Sequence, residues 1–264
     1  MTLIDFAQSL EGITPTRNFN LLYIILDSIF ILVLLGLLIY QKKYVTLIWS
    51  LIGGVLYYLV DYGYFYLISG SRVVTVGGVS SEAYTALVLL WMSLSYGITN
   101  FTFIWLCLKK DKYLKEYLIL IIGWWLVAPS ISSFGGLNDI QTFRTTNQYH
   151  GAMAIILVVG YLGLIVYNIV NKKKVVNILA LNLVGISVQF CWEFALLINQ
   201  IRPMNENSIM TLLVNSIIET NLGLPYMYLI YIAVSKRFKD DLSKQDNFID
   251  YYSKDKVVEE AKAN

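Results

Sequence analysis

Long stretches of apolar residues, broken only by short polar connections, set the pattern of the chain. A helix must run for about 20 mostly apolar residues to cross a hydrocarbon core of about 30 Å. Seven stretches meet that length, at 19–41, 44–69, 83–108, 114–133, 150–171, 175–200 and 209–235. They predict an all-α fold, a seven-helix transmembrane bundle over residues 19–235, preceded by an external segment 1–18 and followed by a tail 236–264. The tail opens with Lys236, Arg237 and Lys239 and continues in mixed charge, which reads as a solvated helix end and a disordered terminus. The stretch 70–82, with Gly70, Gly77 and Gly78, reads as a flexible external turn.

Composition agrees with that pattern. Of 264 residues, 57% are hydrophobic and 14% charged, more apolar side chain than a soluble globule can hide. The net charge of +2 is too small to suggest a nucleic-acid partner, and two cysteines inside apolar runs make no disulfide framework. Lysine and arginine are unevenly shared between the two sides. Sixteen of the 20 basic residues fall in the connections after spans 1, 3 and 5 and in the tail, whereas the other side holds only Arg17, Arg72, Arg144 and Arg202. The positive-inside rule therefore predicts an outer amino terminus and a cytosolic carboxyl terminus. The first 18 residues show no signal-peptide pattern. The protein is expected in the plasma membrane if bacterial and in the endoplasmic reticulum if eukaryotic.

A weak internal repeat suggests two three-helix units joined by a fourth helix. Gly53 and Asp61 in span 2 match Gly185 and Glu193 in span 6 at the same separation. Ser95, Thr99 and Asn100 in span 3 match Ser216, Thr220 and Asn221 in span 7.

An ionisable group at the bilayer centre costs roughly 2.5–3.5 kcal/mol on insertion scales, so each one marks a function or a partner. Asp27, Asp61, Glu193 and Glu219 lie in spans, and no lysine or arginine lies deep in any. Without counter-charges, at least one is expected to hold a proton at neutral pH. Their surroundings are aromatic and amide-rich. Tyr57, Tyr58 and Tyr64 stand near Asp61, Gln189 and Trp192 near Glu193, and Asn215, Asn221 and Tyr226 near Glu219, while Tyr96 and Asn100 lie on span 3. Amides here commonly hold helices together by interhelical hydrogen bonds. Trp49, Tyr113 and Tyr117 are expected in the interfacial aromatic belt. Aromatic faces also stabilise a cation, by about 2 kcal/mol or more when dry.

Several chemistries lack their residues. No span carries a lysine for a retinal Schiff base, His150 is the single histidine, and neither a phosphate-binding glycine loop nor an Asp-rich diphosphate motif occurs. No metal or other cofactor is expected. The stretch from Tyr58 through Asp61 to Tyr64, and that from Glu219 through Gly223 to Tyr226 and Tyr228, resemble the acidic motifs of the integral-membrane terpene cyclases of fungal meroterpenoid and indole-diterpene pathways and their bacterial relatives. Those motifs are a Trp-Glu pair on span 2 and an aspartate on span 7. Val60 stands where the tryptophan is expected, Asp61 replaces the glutamate and Glu219 the aspartate, and a Trp-Glu pair occurs instead at Trp192 and Glu193. The resemblance implies protonation of an epoxide or olefin on a prenylated, isoprenoid-like molecule drawn from membrane lipid. Asp61, Glu219 and Glu193 would then be the catalytic acids, with Tyr57, Tyr58, Tyr64, Tyr96, Asn100, Gln189, Trp192, Asn215, Asn221 and Tyr226 around the substrate. Two alternatives stay open: a small transporter of 3+1+3 architecture using midplane carboxyls, and a receptor or lipid-binding protein whose acids are structural. Oligomeric state is not specified by the sequence.

Overall fold

A computed structural model describes residues 14–144, 149–170, 176–206 and 208–237. Seven helical stretches are long and apolar enough to cross a membrane. They comprise α1 (Leu21–Tyr40), α2 (Tyr44–Tyr58, continued by a π-helix over Leu59–Ile68), α3 (Glu82–Lys109), α4 (Leu114–Ser132), α5 (His150–Val170) and α6 (Ile178–Ile198). The seventh is broken into α7 (Ser208–Ile218) and α8 (Leu224–Arg237), with a 3₁₀ turn at Asn221–Gly223 between them. Their limits lie within about three residues of the apolar runs. Beyond Arg237 the tail lies outside the described residues, as do residues 1–13.

Local chemistry accounts for several helix ends. Asn20, Ser81 and Asn177 each accept a backbone N–H of the first turn, from Tyr23, Tyr84 and Ala180. Lys110 adopts a left-handed conformation that ends α3. Pro225, second in α8, has no N–H to give to the carbonyl of Asn221, and the seventh span breaks just before it.

Helix α3 runs through the centre of the bundle, with two-thirds of its membrane window buried. Its small residues let α2 approach to backbone contact. A Cβ on Gly97 would stand 2.7 Å from the Gly53 carbonyl oxygen and 2.7 Å from Gly54 Cα, and one on Gly53 would meet Phe101 at 2.3 Å. Ser50 and Thr102 exchange a 2.7 Å hydrogen bond across the same crossing. The α2–α3 and α6–α7 pairs are the most extensive helix contacts. Beside the second pair, a Cβ on Gly185 of α6 would stand 2.5 Å from Oδ1 of Asn221 in the 3₁₀ turn.

The all-α expectation needs one correction. A four-stranded antiparallel sheet of order β1-β4-β2-β3 closes one end of the bundle, from β1 (Arg17–Phe19), β2 (Arg72–Val76), β3 (Val79–Ser80) and β4 (Ile140–Arg144). The stretch read as a flexible turn is the β2–β3 hairpin of this sheet, turning through Gly77 and Gly78 at positive φ. The strands are two to five residues long, too short for a legible alternation, and Phe19 reads as the start of the first apolar run.

At the lysine-rich end, Lys43 forms a buried ion pair with Asp111 and lies 5.5 and 5.7 Å above the rings of Tyr113 and Tyr117. Tyr117 is thus buried and donates to Gln41, rather than standing in a lipid-facing belt.

Replacing Gly97 with valine is expected to force α2 and α3 apart and to lower stability by roughly 1–3 kcal/mol or more, as overpacking does. Thermal unfolding of the detergent-solubilised protein, followed by tryptophan fluorescence, checks this; an unchanged midpoint would refute the close crossing.

Candidate functional site

Beneath the sheet, three carboxylates meet four guanidiniums. Arg72 Nη2 donates to Asp61 Oδ1 at 2.9 Å, and the Tyr96 hydroxyl donates to Asp61 Oδ2. Arg144 Nη2 donates to Glu219 Oε1 at 2.7 Å, and Gln189 Nε2 to Glu219 Oε2 at 2.9 Å. Arg202 Nη2 lies 2.6 Å from Glu193 Oε2, close but off the hydrogen-bond axis. Arg17 Nη2 is 3.7 Å from Glu193 Oε1. These four arginines are the whole basic complement of that side of the sequence.

The expectation that the acids lack counter-charges is therefore overturned for Asp61, Glu193 and Glu219. Their cations come from the strands and from the turn after α6, and no helix carries them. Arg72 and Arg144 are cross-strand neighbours in register on β2 and β4, where like charges repel. A carboxylate on each offsets that repulsion. Burial draws the Arg72 and Arg202 guanidiniums below the ordinary arginine value, with Asp61 and Glu193 acting against it. On Arg144 burial acts the same way, but Glu219, Glu193 and Asp61 together outweigh it and the net direction is upward. All remain cations, since arginine does not deprotonate in proteins.

Two backbone irregularities aim the acids. In the π-helix each turn is wider than in an α-helix, and the chain leaves it through Ser69 N–H to the Tyr64 carbonyl. Rings four residues apart then stack: Tyr58 on Tyr62 at 5.1 Å and Tyr62 on Tyr66 at 5.3 Å. Asp61 is buried on the other side of this ridge. Glu219 closes the last turn of α7, its N–H donating to the Asn215 carbonyl at 2.8 Å, just before the break of the seventh span, and the neighbouring Thr220 hydroxyl donates to Gln189 Oε1.

Asp61 and Glu219 line a single cavity of about 440 Å³, within the range of small-molecule sites. Its sheet end carries Arg17, Arg72 and Arg144; its far end is apolar, with Ile52, Leu56, Ile104, Met227 and Ile230. Of the residues expected around the substrate, Tyr57, Tyr96, Asn100, Gln189, Trp192 and Tyr226 also line it. The Asn100 Oδ1 atom is buried there without a hydrogen-bond partner. Trp49, read as a belt residue, instead stacks on buried Trp105 at 4.9 Å and floors the chamber.

Other candidates lie elsewhere. Glu193 is buried behind the wall, where its neighbours Arg202 and Arg17 hold it. Tyr58 belongs to the stacked ridge, and Tyr64 packs on Phe65 and Tyr149. Asn221 accepts from the Tyr161 hydroxyl at 2.6 Å and ties α5 to the broken span. Asn215 is buried with both side-chain polar atoms unpartnered, for which the packing offers no reason. Asp27 forms no ion pair among the described residues and lies against Ser95 and Trp91.

No protein-family model, curated protein or solved structure matches the chain. The geometry therefore carries the functional argument alone.

Sequence reasoning missed Arg17, Arg72, Arg144 and Arg202 as site residues. Their number was the available signal, since an otherwise cation-poor side kept four, and all of them are arginine.

Removing Arg72 leaves Asp61 as an unpaired buried charge. Arg72→Ala is expected to destabilise the fold by roughly 3–5 kcal/mol, and the neutralised pair Asp61→Asn with Arg72→Gln much less. Unfolding midpoints of the two variants check this, and equal losses would mean the pair is not energetically coupled.

Proposed function

We propose that the protein admits one amphipathic, isoprenoid-like molecule from the bilayer into this chamber and holds it with its polar end under the sheet. The observation that supports this most is the wall itself. Ile52, Leu56 and Val60 of α2 and Tyr226 and Ile230 of α8 line the chamber, yet each remains about 38–47% exposed. The chamber thus opens sideways between α2 and α8, toward lipid if the bundle spans a bilayer. A charged, hydrogen-bonding end and an apolar body are the pattern such a molecule needs.

The same reading places the sheet on the outer side and the lysine-rich end in the cytosol, by the distribution of positive charge. It also takes the protein as a 3+1+3 repeat. In each proposed unit an arginine precedes the first helix, at Arg17 and Arg144. An acid eight residues after a close-packed glycine sits on the second helix, and an arginine follows that helix, at Arg72 and Arg202. Strands β1 and β4, which lead into the two units, pair antiparallel.

A second reading, a cyclase or isomerase working on the bound molecule, is favoured by Asp61, Glu219 and Tyr96 sharing one aromatic chamber. Paired with Arg72 and Arg144, Asp61 and Glu219 stand where they could steady a carbocation and accept its departing proton. The proton donor is then Tyr96. Its proton forms a new C–H bond on the olefin, ring closure consumes π-bonds, and Asp61 takes the departing proton and returns it to Tyr96. Substrate and product have equal mass.

Val60→Trp is expected to narrow the lateral opening and reduce uptake of a tritiated C15 prenyl alcohol about tenfold, with an unchanged unfolding midpoint. Undiminished uptake would contradict entry between α2 and α8. For the catalytic reading, membranes containing the protein are expected to convert a prenylated olefin or epoxide into an isomer of equal mass and different retention. Tyr96→Phe and Asp61→Asn would each lower the rate at least a hundredfold, as loss of a general acid or base does. Full turnover in both variants would exclude that reading.

A further inference from the structure

The ion pairs beneath the sheet are not evenly matched. Arg72 holds Asp61 at 2.9 Å, Arg144 holds Glu219 at 2.7 Å and Arg202 stands 2.6 Å from Glu193. Four guanidiniums face three carboxylates, so one cation has no carboxylate of its own. That cation is Arg17. Its nearest carboxylate oxygen, Glu193 Oε1, is 3.7 Å away, and the other oxygen of that group faces Arg202. Arg17 makes no side-chain hydrogen bond among the described residues. It is held instead by two ring faces, with its guanidinium carbon 5.6 Å from the Tyr96 centroid and 5.9 Å from that of Trp192.

Its position gives the imbalance a meaning. Arg17, Tyr96 and Trp192 all line the chamber, so the excess cation faces the space a ligand would enter. A guanidinium whose five donors are largely uncommitted, fixed by rings that accept no strong hydrogen bond, is prepared for a planar or tetrahedral oxyanion. Buried charge is strongly unfavourable unless balanced, and an incoming anion brings the cluster to neutrality. Arg72 and Arg144, committed to Asp61 and Glu219, flank the same end and add to the positive potential without giving up their partners. The apolar remainder of the chamber requires the anion to carry a hydrocarbon body.

We infer that the ligand of this chamber carries a single anionic headgroup, a carboxylate or a phosphate ester, bound by Arg17 between Tyr96 and Trp192. The inference rests on the chamber being the binding site, as proposed above.

The test uses the purified full-length protein in detergent with three tritiated probes of one C15 prenyl chain: farnesol, farnesoic acid and farnesyl monophosphate. Equilibrium dialysis is expected to show at least one anionic probe bound on the order of tenfold or more tighter than the alcohol, the scale of a charge-assisted hydrogen bond. Whether carboxylate or phosphate binds tighter identifies the headgroup. Arg17→Gln is expected to abolish that preference, bringing the anionic probes down to the affinity of farnesol for the same variant, and Arg17→Lys to retain part of it. Equal binding of alcohol and both anions would overturn the inference while leaving the chamber as a binding site. A preference that survives in Arg17→Gln would overturn the role of Arg17. Failure of all three probes to bind would overturn both this inference and the chamber reading. Should Arg17→Gln not fold, the native comparison and Arg17→Lys decide.

Discussion

A carboxylate buried among apolar side chains must bring a positive charge with it or give up its own, and the upper half of this protein is arranged around that requirement. The helices carry acids but no deep cations. The cations arrive from irregular segments that a simple helical bundle would leave outside. Folding strands β1, β2 and β4 back over the bundle sets Arg17, Arg72 and Arg144 beneath the sheet, and the turn after α6 supplies Arg202. The register sets Arg72 opposite Arg144, and the carboxylates of Asp61 and Glu219 offset the repulsion of these like charges. The π-turns of the second span and the break in the seventh present those acids.

Packing lower in the bundle has a different origin. Gly53, Gly54 and Gly97 bring α2 and α3 together so closely that no side chain fits between their backbones at the crossing. Phe101 and Tyr57 fill one flank of the crossing, and Tyr57 leans edge-on against Tyr96 and Phe101. The same two rings line the chamber, which lies between this crossing and α8. The amphipathic character of that space follows from its running between the ionic layer and the Trp49–Trp105 floor.

The spans were legible because hydropathy is a property of composition summed over some twenty residues, insensitive to tertiary detail. Asp61 and Glu219 could be singled out for a related reason: a charge in an apolar run is conspicuous wherever it points. Direction was harder. Tyr58 and Tyr64 were grouped with Asp61 on helical spacing, but the wider π-turn shifts that periodicity and places Tyr58 on a separate ridge. Ion pairing was harder still. Glu219 and Arg144 lie 75 positions apart and meet only through the complete fold. Asp61 and Arg72, eleven apart, were within reach of inspection, yet the arginine was counted as a marker of sidedness and no more. Strands of two to five residues gave too little alternation to be recognised.

The order of the pairs along the chain bears on how such a protein is made. Asp61 is followed by Arg72 at the start of β2, just after its helix, and Glu193 by Arg202 in the turn after α6. Glu219, placed in the last span to emerge, meets an arginine synthesised long before it. As the chain leaves the ribosome, each of these acids therefore has its counter-ion either already delivered or about ten residues behind. If the bundle spans a bilayer, this order lets insertion proceed span by span without a lone charge waiting in lipid for a distant partner.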